Sequence, residues 1–257
     1  MSLPKYDHIV VVIEENRSFK TIIENKDAPF MNYLADKGAL FTNSHFIRQP
    51  SQPNYIVLFS GHLHGTFTNR VHPKIDAPNL YTALNEVGKT FICYSEDLPY
   101  IGYDGVVYNS YVRKHNPSPQ FSNVDRKANQ PFTNFPEDFN ELPTVSFIIP
   151  NQDHNAHDGS LEEADQWLYN NLARYEEWAP NNNSLLIITF DEPETNSEGA
   201  TIPTIFYGTH IHPGQYSDYI DHVSLVKFIL DTYQTKDQLQ LGDNVHEIPI
   251  SIFNEKY

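Results

Sequence analysis

Short runs of apolar residues recur along the chain, each bounded by polar residues. The first run, residues 9–13, has five aliphatic residues in a row. Such a run is typical of a strand that is buried on both faces of a parallel sheet. The predicted strands are residues 9–13, 40–46, 90–94, 144–149, 184–190 and 202–207.

Helical patterns alternate with these strands. Ser160 and Glu163 have the spacing of a capping box, and the helix that they begin is predicted to run to about residue 178. Ser51 is predicted to be the N-cap of a short apolar helix that ends at Gly61. The other predicted helices are residues 28–37, 79–86 and 218–233.

This order of elements indicates an α/β fold. Strands that alternate with helices form a mostly parallel central sheet with helices on both faces. The chain shows no internal repeat and no linker, so a single domain over residues 1–257 is predicted. Residues 99–143 show no regular pattern of apolar and polar positions and are rich in Tyr, Asn, Pro and Phe. A long irregular segment is uncommon unless it is functional, so this loop-rich insertion is predicted to be a cap or lid.

Candidate metal ligands follow three of the predicted strands. The carboxyl ends of parallel strands lie at one edge of a sheet, where α/β proteins bind ligands. Carboxylate, amide and imidazole groups at this edge suit a hard or borderline divalent cation. The alternative is that these charges only solvate the strand ends. The candidates are Glu14, Glu15 and Asn16 after the first strand, Asp153 and His157 after residues 144–149, and Asp191 and Glu192 after residues 184–190.

Ser51 is the candidate nucleophile. It stands at a predicted helix start, where backbone N–H groups and the helix dipole favour an anion. His222, near the start of the last helix, is placed to reach the same edge of the sheet. The alternatives are that Ser51 is only a helix cap and that His222 is a hydrogen-bonded core residue.

Composition limits the classes of partner. The formal charge is −16, with 33 acidic and 17 basic residues and no basic run, so no nucleic-acid partner is expected. Cys93 is the only cysteine, which excludes an intrachain disulfide and a thiolate metal site. No apolar run reaches 18 residues. Two compartments are left as alternatives. The protein would be secreted or in the cell envelope if a signal peptide has been removed, and cytoplasmic otherwise. The oligomeric state also stays open.

Five motifs occur in the order seen in one enzyme family. They are VVIEENRSF at 11–19, PSQPNY at 50–55, HDG at 157–159, ITFDE at 188–192 and DHVSL at 221–225. From about residue 6 to 233 the chain resembles the phosphoesterase family, which contains acid phosphatases and phospholipases C of the non-haemolytic type. That family belongs to the alkaline phosphatase superfamily, so the resemblance implies an alkaline phosphatase-like fold.

The resemblance also implies roles for the site residues. Ser51 matches the nucleophile. The metal ligands that it implies are Glu15, Asn16, Asp191 and Glu192, and a second metal would be held by Asp153, His157 and His222. At two positions this sequence differs from the family and superfamily patterns. The number of ions therefore stays at one or two, and their identity at Zn, Mg, Mn or Ca. Asn155 stands where family members often have an acid, and Glu192 stands where the wider superfamily has a histidine.

Three further assignments concern neighbouring polar residues. His64, which precedes a glycine as in the family, is a candidate for binding the substrate phosphate. Asp158 is predicted to orient a neighbouring metal ligand. The histidines without a supporting motif, among them His115, receive no role.

These observations lead to a hypothesis about activity. The chain is predicted to be a metal-dependent phosphomonoesterase of the acid phosphatase type, which acts on a small phosphate ester through a phosphoserine at Ser51. One alternative is a phospholipase C-like phosphodiesterase. Membrane lipid would then be a partner, with residues 99–143 as the candidate contact surface. The other alternative is a non-enzymatic metal- or phosphate-binding protein. The chain has no Gly-x-Ser-x-Gly motif, which argues against a serine hydrolase.

Overall fold

The computed structural model describes residues 3–195, 197, 199–235 and 238–254. The strands are β1 (His8–Glu14), β2 (Ala39–His45), β3 (Phe91–Ser95), β4 (Val107–Tyr108), β5 (Tyr111–Val112), β6 (Asn129–Pro131), β7 (Val145–Ile149), β8 (Ser184–Phe190), β9 (Ile202–Gly208), β10 (Gly214–Tyr216) and β11 (Ile220–Asp221). The α-helices are α1 (Phe19–Ile22), α2 (Pro29–Lys37), α3 (Ser51–Ser60), α4 (Leu80–Glu86), α5 (Leu161–Trp178) and α6 (His222–Thr232). No helix among these described residues is both long and apolar enough to cross a membrane.

The main sheet is mostly parallel. Its strands follow the order β10-β2-β9-β8-β1-β7-β3-β6, and β11 pairs with β2 outside this path. Strand β9 runs antiparallel to both of its neighbours, β2 and β8, whereas the other pairs of this sheet are parallel. Strands β4 and β5 form a separate antiparallel hairpin. The predicted α/β class with a mostly parallel sheet is therefore confirmed.

Strand β1 lies at the centre of the sheet and is buried on both faces. Its side chains alternate in direction, as the pleat requires. Ile9, Val11 and Ile13 pack in a cluster with α3, α4 and α6, and Val10 and Val12 pack in the opposite cluster with α2 and α5. Burial of each aliphatic side chain contributes roughly 1.5–3 kcal/mol to stability. The packing of β1 on both faces therefore fixes the position of the residues that directly follow this strand.

Two predicted helix starts differ from the structure. Helix α6 begins at His222 rather than at residue 218, because Ile220–Asp221 pairs with β2 and Asp221 caps the helix by accepting from Ser224 N–H (3.0 Å). The N-cap of α3 is Pro50, and Ser51 is the first residue of the helix. The Ser51 hydroxyl makes no capping hydrogen bond, which leaves it available for other contacts.

Residues 99–143 contain more regular structure than the sequence pattern suggests. The segment includes the β4–β5 hairpin, several short 3-10 turns and β6. Strand β6 pairs in parallel with β3 and so extends the main sheet. Strands of two or three residues are too short to produce a hydrophobic period, which explains why they were missed. The lid function of this segment stays a prediction.

The predicted capping box at the start of α5 gives a test of the fold. Ser160 Oγ accepts from Glu163 N–H (3.1 Å), and Glu163 Oε2 accepts from Ser160 N–H (2.8 Å). We expect Ser160→Ala to lower the free energy of unfolding by about 1 kcal/mol, measured by urea denaturation. Ser217→Ala is the control, because Ser217 is exposed and its hydroxyl makes no hydrogen bond to another described residue. Equal stability of the two variants would show that the cap does not contribute.

Candidate active site

The carboxyl ends of β8, β1 and β7 lie side by side, because these three strands are parallel neighbours. Backbone hydrogen bonds connect the residues that follow them. Glu15 N–H donates to the carbonyl of Asn155 in the loop after β7 (2.9 Å), and Asp191 N–H donates to the carbonyl of Glu14 (3.0 Å). The three segments that carry predicted ligands therefore meet at one edge of the sheet.

The two glutamates after Ile13 face opposite sides of the sheet, and both are fully buried. Glu15 faces α3, where it contacts Ser51. Glu14 faces α5, and burial together with the charge of Asp165 raises its pKa well above the usual value. Neither carboxylate oxygen of Glu14 has a hydrogen-bond partner. Of these two glutamates, only Glu15 belongs to the cluster around Ser51.

Ser51 lies between two carboxylates. Its hydroxyl is within hydrogen-bond distance of Glu15 Oε2 (3.1 Å) and Glu192 Oε1 (3.2 Å), and it can donate to either of them. Asn54, one turn along α3, donates to the other oxygen of Glu192 (3.4 Å). All ten residues of α3 are buried, so the packing of the helix fixes the position of the serine.

Asp191 is held by two backbone donors. Its Oδ1 accepts from Asn16 N–H (3.1 Å) and from Glu192 N–H (2.6 Å), whereas its Oδ2 is buried without a partner. Asn16 has a φ of 49°, in the left-handed region that asparagine tolerates better than most residues. The hydrogen bonds of Asn16 come from its backbone and not from the side-chain amide that was predicted to bind metal.

The carboxyl groups of this cluster keep their protons to a higher pH than carboxyl groups in water do. Burial raises the pKa of Glu15 to about 7. Burial and the charge of Asp191 raise the pKa of Glu192 to about 8. The pKa of Asp191 is raised well above its usual value by burial and by Glu15. Near neutral pH, Glu15 and Glu192 are therefore suited to exchanging a proton with Ser51.

His115, for which no sequence motif predicts a role, is part of this site. It is buried, and its ring stacks on that of Tyr55 from α3 with centroids 5.1 Å apart. His115 Nε2 lies 3.1 Å from Glu15 Oε1, although the two atoms are not aligned as a hydrogen bond. Burial and the charge of Lys114 lower the pKa of His115 well below the usual value, which favours the neutral ring. No motif around His115 signals this position.

The residues predicted to hold a second metal have separate partners. Asp153 accepts from Ser110 Oγ, and His157 Nδ1 lies 2.7 Å from Asp158 Oδ1. His222 Nε2 donates to the carbonyl of Phe190 (3.0 Å), and its Nδ1 is buried without a partner. The structure therefore does not bring Asp153, His157 and His222 to one point. The Asp158 contact does hold the His157 ring, whose centroid is 5.8 Å from that of His115.

His64 lies away from the cluster. Its Nε2 is 3.1 Å from Ser60 Oγ, at the opposite end of α3 from Ser51. A helix rises 1.5 Å per residue, so the two ends of α3 are separated by about 13 Å. The role predicted for His64 in binding the substrate phosphate is therefore not supported, because the length of the helix separates it from the nucleophile.

The Ser51 cluster fits a divalent cation in its chemistry. No three His, Cys, Asp or Glu side chains in the described part of the chain form a ready-made ligand set around one point. Glu15, Asp191 and Glu192 nevertheless supply hard oxygen donors beside Ser51, and Glu15 Oε1 and Asp191 Oδ2 are buried without hydrogen-bond partners. These three residues, with Ser51, are the ones that would hold a metal.

Comparison with known proteins points to one family. The model of the phosphoesterase family matches residues 21–236. A phosphatidylinositol-3-phosphatase of Mycobacterium tuberculosis is 43% identical over 235 residues, which cover 90% of this chain and 78% of that protein. A phosphate-repressible acid phosphatase of Penicillium chrysogenum is 33% identical over 211 residues, which cover 75% of this chain but only 49% of that protein.

The fold agrees with this assignment. A protein in the alkaline phosphatase superfamily from Vibrio parahaemolyticus superimposes with a TM-score of 0.66 and 10% sequence identity, over 93% of this chain and 69% of that one. At this identity the likeness concerns the fold alone. The extent of the family match and the 43% identity over 90% of the sequence show that this chain belongs to the phosphoesterase family.

Proposed function

We propose that this protein hydrolyses phosphoric monoesters with Ser51 as the nucleophile. The observation that carries the proposal is the buried Ser51 hydroxyl, which lies within hydrogen-bond distance of Glu15 and Glu192. Membership of the phosphoesterase family supports hydrolysis of phosphoric esters as the reaction class. The serine and the two carboxylates supply the nucleophile and the proton acceptors that this reaction needs.

The relatives favour monoesters over diesters. Both relatives described above are named as phosphatases, and one of them is named for the 3-phosphate of an inositol lipid. We therefore favour a phosphomonoester, including one on a lipid headgroup, as the substrate class of this chain. A phospholipase C-like diesterase is the alternative. It would release a phosphorylated headgroup from phosphatidylcholine, whereas a monoesterase releases inorganic phosphate.

The proposed reaction begins at Ser51 Oγ. The oxygen attacks phosphorus, and its proton passes to Glu192 or Glu15. The bond from phosphorus to the ester oxygen breaks in line with the attack, this oxygen leaves as an alcohol by taking the proton from the carboxyl group, and the phosphoryl group is transferred to the serine. Water then attacks the phosphoserine and gives a proton to the same carboxylate, the bond from phosphorus to Ser51 Oγ breaks, and the proton returns to Ser51 as phosphate is released.

The proposed cofactor is a divalent cation bound by Glu15, Asp191 and Glu192. When bound, it would neutralise charge on the phosphoryl oxygens and lower the pKa of the serine hydroxyl. The cation would also offset the repulsion among the carboxylates, whose pKa values are raised in its absence. His115, neutral and stacked on Tyr55, closes the side of the cluster next to Glu15.

Replacement of Ser51 tests the nucleophile. We expect Ser51→Ala to keep the fold and to lose turnover of an aryl phosphate monoester, because among the described residues no other hydroxyl donates to both glutamates. Acid quenching during turnover of a labelled monoester should leave label on the wild type and none on the variant. Ser60→Ala, at the other end of the same helix, is the control and should retain activity. Full activity of Ser51→Ala would disprove the assignment.

Removal of divalent ions tests the cofactor. We expect a chelator to abolish turnover and one divalent ion, added back, to restore it. Asp191→Asn should need a higher concentration of that ion than the wild type, because it removes a negatively charged donor. His64→Gln should behave as the wild type, since His64 lies at the far end of α3. Undiminished activity after chelation would contradict the cofactor while leaving the role of Ser51 intact.

The raised pKa values predict how stability depends on pH in the chelated protein. Between about pH 7.5 and about pH 8.5, unfolded carboxyl groups bind almost no protons and unfolded histidines bind few, whereas folded Glu192, with a pKa of about 8, is still partly protonated. The folded state binds more protons than the unfolded state, so the free energy of unfolding should fall as the pH rises through this range.

A variant measures how much Glu192 contributes to the pH dependence of the free energy of unfolding. Glu192→Gln removes one titrating group, so its stability should fall less steeply, by up to about 1.4 kcal/mol per pH unit, in urea denaturation. Glu162→Gln, an exposed position at the start of α5, is the control and should follow the wild type. Identical slopes for the wild type and Glu192→Gln would show that Glu192 is ionised throughout.

A further inference from the structure

Exposed apolar side chains are concentrated in one part of the described surface. Five of the ten large hydrophobic side chains exposed there lie within residues 100–108, on and beside the β4–β5 hairpin. A concentration of exposed apolar side chains of this kind often marks a site of interaction. These five side chains, the hairpin patch, are Tyr100, Ile101, Val106, Val107 and Tyr108, with exposed fractions of 45–58%.

The loop after α3 adds two more exposed side chains, Phe67 and Val71, to the same region. Lys74 of this loop forms an ion pair with Asp104 beside the hairpin (3.0 Å). A β-bridge between Ile75 and Phe121 also connects the loop to the insertion. The loop and the hairpin patch are therefore held together as one surface.

This surface borders the proposed active site on two sides. Gln52, next to Ser51 in α3, donates from its side chain to the carbonyl of Arg70 in the loop (2.9 Å). On the other side, β5 leads directly into the 3-10 turn that places His115 beside Glu15. A molecule that covers the loop and the hairpin therefore lies next to the segments that hold Ser51 and His115.

The charge of these segments is opposite to that of the whole chain. Residues 66–75 and 99–131 contain six of the 17 lysines and arginines but only two of the 33 acidic residues. The chain as a whole has a net charge of −16. Exposed apolar side chains are thus combined with an excess of positive charge within these two segments.

We propose that the hairpin patch and the loop at 66–75 dock this protein on an anionic lipid bilayer, so that a phosphorylated lipid headgroup reaches Ser51 without leaving the membrane. The inference rests on the proposed phosphomonoesterase function and extends it to substrates presented in a membrane. Tyrosine and aliphatic side chains enter the interfacial region of a bilayer, while lysine and arginine bind the anionic headgroups.

Charge favours a bilayer over a second copy of the chain as the occupant. Two copies that met through this surface would bring their basic segments together, which like-charge repulsion opposes. An anionic bilayer has the complementary charge. It is also fluid, so it can accommodate side chains that protrude from a hairpin and a loop without forming a groove.

Binding to vesicles tests the proposal independently of turnover. We expect the full chain to cosediment with phosphatidylcholine vesicles that contain phosphatidylserine, more weakly with phosphatidylcholine alone, and less as the salt concentration rises. The double substitution Val107→Asp with Tyr108→Asp should reduce this binding about ten-fold or more, because both side chains are exposed in the hairpin. Lys127→Glu, an exposed position in the basic segment, should also weaken it.

Tyr169→Asp is the matched control, because Tyr169 is equally exposed but lies on α5, away from this surface. It should bind vesicles as the wild type does. The double variant should hydrolyse a soluble aryl phosphate at the wild-type rate and lose activity only on phosphatidylinositol 3-phosphate in vesicles. A wild type that hydrolyses neither substrate would contradict the proposed function. It would not contradict docking, because binding to vesicles needs no turnover.

Two results would overturn the docking proposal. One is a wild type that does not bind anionic vesicles, or a double variant that binds them as the wild type does. The other is self-association of the wild type in sedimentation velocity that the double variant loses, without any binding to vesicles. That result would assign the hairpin patch to contact between protein chains.

Discussion

The burial of three carboxyl groups against one serine hydroxyl is the constraint on which this site depends. A buried charge is costly unless hydrogen bonds or an opposite charge compensate it. Backbone N–H groups of Asn16 and Glu192 stabilise one oxygen of Asp191, while Ser51 and Asn54 donate to the glutamates. These donors leave some carboxylate oxygens without partners. In the protein alone, burial raises the pKa of these carboxyl groups and so favours their uncharged forms. A divalent cation would offset the charge in the enzyme that we propose.

The surrounding core makes such a site stable. Strand β1 and helix α3 are buried on all sides, so Glu15 and Ser51 are positioned by apolar packing rather than by the polar contacts that they make. The insertion at 99–143 adds to this frame through His115, which stacks on Tyr55. The segment predicted to act as a lid therefore also forms part of the wall of the site.

Charge is divided between the interior and the surface around the site. The carboxylates that suit a cation are buried, whereas the exposed segments beside them carry an excess of lysine and arginine. The net charge of −16 conceals this division, and no run of basic residues marks it in the sequence. A phosphate ester would thus approach through a basic surface and react among acidic groups. A phosphatase needs both environments, since its substrate is an anion and its proposed cofactor is a cation.

The sequence by itself determined the central strands, the parallel sheet and the position of Ser51. These features depend on local signals, namely runs of aliphatic residues, helix starts and motifs of adjacent residues. The sequence also predicted that Glu15, Asp191 and Glu192 lie close together, because residues just beyond parallel strands share one edge of the sheet.

Only the tertiary structure decided which polar groups meet. It placed the side chains of Glu14 and Glu15 on opposite faces of the sheet, and it placed His64 at the end of α3 opposite Ser51. It also gave Asp153, His157 and His222 separate partners and brought in His115 from the insertion. The physical reason is that the direction of a side chain in a loop depends on contacts between residues far apart in the chain, which no local pattern encodes.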